Sequence, residues 1–106
     1  PAMQRKFETL LLFSPDLTSE NREQILDNLT GYIQNNAGQM VETDDWGTRD
    51  LAYPVEKHTR GRYVRLEYGI NGGQISELER RIRISDGILK FLTVKLSETF
   101  QPIQEA

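Results

Sequence analysis

The chain contains no cysteine among its 106 residues. This absence excludes disulfide bonds, thiolate metal sites and cysteine nucleophiles, and it is compatible with a reducing compartment. Long apolar runs are also missing. The longest nearly apolar run covers residues 10–13, whereas a bilayer span needs about 20 residues. No basic stretch followed by an apolar one opens the chain, so we expect no export signal. The length suits one domain.

Histidine is almost as scarce, and this argues against catalysis. The single histidine, His58, lies in a polar stretch next to Lys57, where a lone imidazole without an orienting carboxylate is usually a surface residue. The adjacent carboxylates Asp44 and Asp45 point to opposite faces of a strand and cannot form a catalytic pair. We therefore expect no catalytic residue, metal, cofactor or small-molecule substrate.

The charge is unevenly distributed along the chain. Thirteen basic residues stand against 16 acidic ones, for a net charge of −3. Residues 1–45 contain three basic and eight acidic residues. Residues 46–95 contain ten basic and six acidic residues, and residues 96–106 contain two acidic residues and no basic one. An acidic chain has little sequence-independent attraction to nucleic acid, although its basic segment can contact phosphate locally. Arginine outnumbers lysine nine to four, which favours bidentate contacts.

Hydrophobic periodicity predicts the element order β-α-β-β-α-β. Thr18 or Ser19 is expected to cap the first helix, and Gly38 to end it in a left-handed conformation. Gly47 indicates a bulge in the second strand, and a polar connection is expected over residues 56–61. The predicted strands cover residues 6–13, 39–53, 62–70 and 88–96, and the helices end near residues 37 and 83.

This order is the split βαβ, or ferredoxin-like, arrangement of an α+β protein. We expect a four-stranded antiparallel sheet in the order 4-1-3-2, with two helices on one face. Leu10, Leu12 and Arg65 should then share the open face. Such a face is either a partner site or a solvated surface. Residues 1–97 are predicted to form the domain and residues 98–106 a flexible C-terminal tail.

Two segments suggest binding. Residues 60–64 (RGRYV) open the third strand where an RNA-recognition motif has its Arg-Gly-aromatic signature. However, Arg62 and Val64 occupy the positions of the stacking aromatics, so a basic strand start after a glycine turn is the favoured interpretation of this signature. For the basic residues near the strand ends, contact with the RNA backbone by shape is expected rather than base readout. Residues 46–54 (WGTRDLAYP) concentrate residue types found at interface hot spots, on an expected edge strand. Simple roles in solubility and core covering remain alternatives for both segments.

The same segments carry a family resemblance. The run Trp46-Gly47-x-Arg49-x-Leu51-Ala52-Tyr53-Pro54-Val55, followed by Lys57, Gly61 and Tyr63, resembles the signature of bacterial small-subunit ribosomal protein six. Phe7-Glu8, Pro15-Asp16-Leu17, Arg81-Ile82-Arg83 and Lys95 also agree, so that the resemblance covers about residues 5–97.

This resemblance implies a non-enzymatic, ribosome-associated cytoplasmic protein without cofactors. The family binds the central domain of small-subunit ribosomal RNA together with small-subunit protein eighteen, a small basic partner, as a heterodimer. A cationic partner would explain how a net-acidic chain reaches RNA. We assign RNA contact to Arg5, Lys6, Phe7, Lys57, Arg60, Arg62, Arg81 and Arg83, and contact with the partner protein to Trp46, Arg49, Leu51 and Tyr53.

Two departures and two rival functions accompany this assignment. Asp50 and Arg65 stand where family members often carry a basic or polar residue and an aromatic residue, respectively.

The main alternative is a ligand-binding or regulatory ferredoxin-like domain that forms homodimers through its open sheet face. An acylphosphatase-like enzyme is disfavoured, because Pro15 and Asp16 stand where an anion-cradling loop would follow the first strand.

Overall fold

Four strands and two helices follow one another in the predicted order β-α-β-β-α-β. The computed structural model describes residues 4–101. Neither helix in this part of the chain is long and apolar enough to cross a membrane. The elements are β1 (Gln4–Phe13), α1 (Ser19–Asn35), β2 (Gln39–Val55), β3 (His58–Asn71), α2 (Ile75–Ile84) and β4 (Ile88–Ser97), with a 3₁₀ turn at Gly72–Gln74 before α2.

The strands form one antiparallel sheet in the order β2-β3-β1-β4. This confirms the predicted ferredoxin-like fold and places β1 and β3 in the centre. The pairing of β1 with β3 runs from Gln4 opposite Asn71 to Phe13 opposite Arg62. The two edges of the sheet are therefore β2 and β4.

The core lies between the sheet and the helices. Alternate residues of β1 point towards the helices, as predicted, and so do those of β3 from Val64 to Ile70. One polar cluster is buried with them: the Thr9 hydroxyl lies 2.7 Å from the Tyr68 hydroxyl and 3.0 Å from the Thr93 hydroxyl. Burial raises the pKa of Tyr68 to about 12. The apolar core consists chiefly of Phe7, Leu11, Phe13, Leu29, Ile33, Val64, Leu66, Tyr68, Ile70, Leu78 and Ile82.

The ends of α1 show one prediction confirmed and one corrected. Thr18 is the N-cap, and its hydroxyl accepts a hydrogen bond of 3.1 Å from the Asn21 amide. At the other end the left-handed residue is Ala37, with φ of 64°, and not Gly38. Gly38 is needed for a different reason, because a Cβ there would lie 2.7 Å from the Gly69 carbonyl oxygen. The glycine allows the chain to enter the sheet closely.

The connection between β2 and β3 is much shorter than predicted. Glu56 and Lys57 form a two-residue turn with φ of 47° and 70°, the backbone pattern of a tight hairpin. The polar connection predicted over residues 56–61 is therefore wrong, because residues 58–61 belong to β3. The predicted bulge is confirmed: Gly47 has φ of 81° and the register shifts next to it.

The β2–β3 hairpin extends beyond the sheet. Since β1 ends at Phe13 opposite Arg62, residues 48–61 have no β1 partner. We call this two-stranded extension the arm. The arm continues β2 and β3 of the central sheet.

The chain continues past β4 along the sheet. The Phe100 amide donates a hydrogen bond of 3.0 Å to the Gln4 carbonyl oxygen, and the Phe100 ring lies against Gly69. Glu98 pairs with Lys95 and, at 3.2 Å, with Arg5. Residues 102–106 of the predicted tail lie outside the described residues, so the division between a domain of residues 1–97 and a flexible tail stays a prediction.

Candidate RNA and partner-protein surfaces

Exposed aromatic and cationic side chains lie along the arm and on the part of the sheet next to its base. Trp46 packs against Tyr63 with ring centroids 6.3 Å apart, and the Arg49 guanidinium lies 5.6 Å from the Trp46 ring. Tyr53 is 59% exposed, and its hydroxyl accepts a hydrogen bond of 2.9 Å from Lys90. This bond lowers the pKa of Tyr53. The arm thus holds these rings in fixed positions while leaving much of them accessible.

Of the four predicted protein-contact residues, Trp46 and Arg49 contact each other, and Leu51 and Tyr53 follow them along β2. Trp46 is 41% exposed at the base of the arm, and Arg49 is held to it by stacking and by a 3.3 Å hydrogen bond to its carbonyl oxygen. Leu51 is half-buried in the arm, and Tyr53 follows two residues later. The alternative that Trp46 and Tyr53 merely cover the core does not fit their exposure.

The predicted RNA-contact residues do not form one cluster. Arg5 and Lys6 lie at the start of β1, whereas Arg62 pairs with its last residue, Phe13. Eight residues of strand separate Arg5 from Phe13, which corresponds to about 27 Å. Lys57 and Arg60 lie farther out on the arm. Arg81 and Arg83 occupy α2, on the helical face of the sheet.

Most of these cations already have carboxylate partners. Arg60 pairs with Asp50 at 3.1 Å, and Arg62 holds Asp45 through a bidentate contact of 2.7–3.0 Å. The Arg62 hydrogen bonds keep the pKa of Asp45 below its usual value. Arg5, Lys6, Arg81 and Arg83 pair with Glu98, Glu67, Glu77 and Glu79.

Two predicted residues differ from this pattern. Within residues 4–101 the structure shows no ion pair for Lys57, whose left-handed backbone places it at the tip of the arm. Phe7 is 6% exposed, and its ring stacks on Tyr68 with centroids 6.0 Å apart. A contact between Phe7 and a sugar or base is therefore corrected: its ring belongs to the core.

The open face of the sheet contains apolar residues of β4 in addition to the residues predicted to lie there. Leu10 and Leu12 share this face with Arg65, as predicted, and β4 adds Leu92 beside Leu10. A register shift between Ile88 and Lys90 interrupts the pairing of β4 with β1, so alternation in the sequence does not by itself give the side on which Leu92 lies. A groove of about 190 Å³ lies here, lined by Leu10, Leu12, Tyr63, Lys90, Phe91 and Leu92.

Arg65 is the centre of a charged network next to this groove. Its guanidinium contacts Glu8, lies 2.6 Å from Glu67, and approaches Asp44 at 3.5 Å and Glu42 at 3.7 Å. These contacts raise the pKa of Arg65, chiefly through Glu67. A hydrogen bond to Asp44 raises the pKa of Glu42, as expected where carboxylates crowd one cation.

No metal centre accompanies these surfaces: residues 4–101 contain no group of three or more His, Asp or Glu side chains placed to hold an ion. His58 lies in the arm opposite Val55, next to the turn. The fold and its exposed features define a ferredoxin-like α+β protein that presents aromatic, cationic and acidic surfaces suited to macromolecular partners.

Comparisons with known proteins give the family. The family model described as ribosomal protein S6 matches residues 6–95. The small ribosomal subunit protein bS6 of Nitratidesulfovibrio vulgaris (strain Miyazaki F) is 58% identical over 99 residues, covering 93% of this chain and 98% of that protein. The bS6 protein of Oleidesulfovibrio alaskensis is 61% identical over 94 residues, covering 89% and 93%.

A solved structure agrees on the fold. The crystal structure of 30S ribosomal protein S6 from Thermotoga maritima superposes with a TM-score of 0.81 at 24% identity, covering 87% of each chain. This chain belongs to the ribosomal protein S6 family. It is a non-enzymatic structural protein of the bacterial small ribosomal subunit, and it is associated with ribosomes in the cytoplasm.

Proposed function

We propose that this chain binds the central domain of small-subunit ribosomal RNA as a heterodimer with small-subunit ribosomal protein eighteen. Membership of the S6 family supports a place in the small subunit. The observation that carries the proposal is the arm, which extends past the end of β1 with Tyr53, Lys57 and Arg60 and has Trp46 exposed at its base. Such a projection can reach two partners at once.

The charges explain why a partner is needed. The chain has a net charge of −3, and the pairing of its arginines with carboxylates reduces the attraction of each for phosphate. The cations are also spread over three separate places. A basic protein bound alongside would supply the long-range attraction, while this chain supplies local contacts.

The proposed RNA contacts are phosphate contacts. Lys57 and Arg60 are accessible, because Lys57 occupies the tip of the arm and the Arg60 side chain is 59% exposed in a weak surface ion pair. The other cations can share their carboxylate or exchange it for a phosphate. The full proposed set is Arg5, Lys6, Lys57, Arg60, Arg62, Arg81 and Arg83.

Charge reversal on the arm tests the RNA contact. The variant Lys57→Glu with Arg60→Glu should bind a central-domain RNA fragment, in the presence of protein eighteen, at least roughly tenfold more weakly than the unchanged chain near 0.1 M salt. The matched control is Arg22→Glu with Arg80→Glu, which changes the net charge equally outside the proposed set. Equal affinities of the arm variant and this control would overturn the arm contact.

Truncating the exposed rings tests the protein contact. The proposed surface comprises Trp46, Arg49, Leu51 and Tyr53, and central aromatic anchors usually carry most of an interface's energy. Trp46→Ala with Tyr53→Ala should therefore capture much less protein eighteen in a pull-down, while circular dichroism shows an intact fold. Ile84→Ala is the control, since Ile84 is 64% exposed on α2. Normal capture by the folded double variant would remove these residues from the interface.

A second candidate function, a regulatory or ligand-binding domain that forms homodimers through its open sheet face, has one observation in its favour. The edge strand β4 exposes Leu92, Val94 and Leu96. Sedimentation of the pure chain separates the two functions, because a stable homodimer at micromolar concentration supports this second candidate and a monomer supports the heterodimer.

A further inference from the structure

The open sheet face has a layout that differs from the arm. One half is apolar, where Leu10 of β1 lies beside Leu92 of β4 and Val94 follows two residues on. The other half is acidic, where Glu42 and Asp44 on β2 flank the Arg65 network. A single bound molecule covering this face would touch both halves, because neighbouring strands lie only about 5 Å apart.

An aromatic ring bounds the face at each end. At one end the Phe100 ring covers Gly69 of β3. At the other end Trp46 packs on Tyr63 of the same strand. Six residues of strand separate Gly69 from Tyr63, so the open face is about 20 Å long between the two rings. That length accommodates about six residues of an extended segment or about four helical turns.

The charges of the face select the kind of molecule that fits. Four carboxylates (Glu8, Glu42, Asp44 and Glu67) surround two cations (Lys6 and Arg65), and Lys90 at the groove is the third cation of this face, which leaves one negative charge in excess. The excess of negative charge repels RNA, and it also opposes the face of a second copy, which would bring the same excess into contact. A cationic group over Glu42 and Asp44 would instead relieve the crowding of these two carboxylates.

We propose that the open sheet face docks a segment of a cationic protein, with an apolar side chain in the groove beside Leu92 and a cationic side chain over Glu42 and Asp44. This inference rests on the proposed function, because the cationic protein eighteen is the candidate that supplies the segment. It adds a second contact surface, which adjoins the one on the arm at Trp46. The groove of about 190 Å³ has room for one large apolar side chain.

The experiment measures binding of purified protein eighteen by titration calorimetry with the full chain and two face variants. Leu92→Ser removes the apolar wall of the groove, and Glu42→Gln with Asp44→Asn removes the negative charge. Arg65 keeps its contacts with Glu8 and Glu67 in both variants, so the fold should survive. Each variant should bind at least about fivefold more weakly, and the charge variant should also lose part of its salt dependence.

Matched controls lie on the helices, away from this face. Glu20→Gln with Glu23→Gln removes the same charge from α1, and Ile84→Ser removes an exposed apolar side chain from α2. Both controls should bind as tightly as the unchanged chain. A central-domain RNA fragment is titrated against the same variants, and each is sedimented alone.

The outcomes are distinct. If the face variants bind protein eighteen as tightly as their controls, the inference is overturned while the proposed heterodimer stands on the arm. If the unchanged chain does not bind protein eighteen, the heterodimer itself is overturned. A loss of RNA affinity for Leu92→Ser beyond that of Ile84→Ser, without loss of protein binding, makes RNA the occupant. A homodimer that Leu92→Ser converts to monomer makes a second copy the occupant. Either of these last results overturns the inference.

Discussion

Two glycines of this chain have opposite physical roles. Gly31 lies inside α1, and a Cβ added there meets no heavy atom within 4 Å. Gly69 lies in β3 beneath the Phe100 ring, where an added Cβ would overlap the ring atoms. Helix formation is therefore weakened at Gly31 with no gain in packing, whereas the absence of a side chain at Gly69 makes a contact possible.

Replacing each glycine by alanine should change stability in opposite directions. Gly31→Ala should raise the free energy of unfolding by about 0.5–1 kcal/mol, because alanine loses less conformational entropy in a helix. Gly69→Ala should lower it, since the new methyl group displaces the Phe100 ring. Urea unfolding of both variants measures these changes.

The Phe100→Ala background is the control for this pair. Without the ring, Gly69→Ala should become neutral or stabilising, and the difference is the coupling between the two positions. The same loss of stability in both backgrounds would contradict the assigned role of Gly69. Destabilisation by Gly31→Ala would likewise contradict the open space found beside it.

At the scale of single elements, α2 illustrates how charge placement supports a short helix. Glu77 in its first turn receives a bidentate contact of 2.7 and 2.8 Å from Arg80 and a hydrogen bond of 2.9 Å from Arg81. The arrangement also suits the helix dipole, with the acidic residue in the first turn and arginines in the last. Arg80 is the main cause that lowers the pKa of Glu77 to about 2.

This lowered pKa predicts a pH dependence of stability. The ordinary pKa of Glu77 is 4.5, so its ionised form favours the folded state above that pH and loses this effect as the pH falls towards 2. The Tm difference between the unchanged chain and Glu77→Gln should therefore be largest near neutral pH and shrink between pH 4.5 and 2. Thermal unfolding followed by circular dichroism over this range measures it.

Glu20→Gln in α1 is the comparison for this element, because within residues 4–101 the structure shows no ion pair for Glu20. Its effect on Tm should vary less between pH 4.5 and 2. If Glu77→Gln shows the same Tm difference at pH 7 and at pH 2, the Glu77–Arg80 contact does not form in solution.

The elements also show which features can be predicted from a sequence. Strong alternation in β1 and β3 predicted their buried faces, and Thr18 predicted the start of α1. The length of the arm could not be predicted, because its residues pair only with each other and have no buried face to give a period. The same holds for the left-handed Ala37, which is set by the close approach of Gly38 to Gly69.

At the scale of the whole molecule, the candidate site was predicted by residue type but not by position. Exposed Trp46 and Tyr53 confirm that the segment reaches the surface. The basic residues, by contrast, are near strand ends in the sequence, yet these ends lie at opposite sides of the sheet in an antiparallel fold. Phe7 belongs to the same alternation that buries Leu11 and Phe13, so its place in the core could have been read from the sequence, and its stacking on Tyr68 agrees with that place.

The separation of the cations leads to a test of how RNA would lie on the molecule. Arg5 lies about 27 Å from Phe13 along β1, and the arm residues Lys57 and Arg60 lie beyond that end of β1, so one RNA must span the molecule to contact both. Groups so far apart contribute independently, and their effects on binding free energy should add. Reversing both arm cations (Lys57→Glu, Arg60→Glu), both β1 cations (Arg5→Glu, Lys6→Glu) or all four tests this in the presence of protein eighteen.

Salt titration gives the second readout of the same variants. Each phosphate contact removed should reduce the slope of log K against log salt by about 0.7–0.9. If RNA spans the molecule, each double variant should lower the slope by about twice that value, and the fourfold variant should show the sum for both affinity and slope. If the β1 variant retains the affinity and slope of the unchanged chain, RNA contacts the arm alone. Arg5 and Lys6 then stay paired with Glu98 and Glu67 when RNA binds.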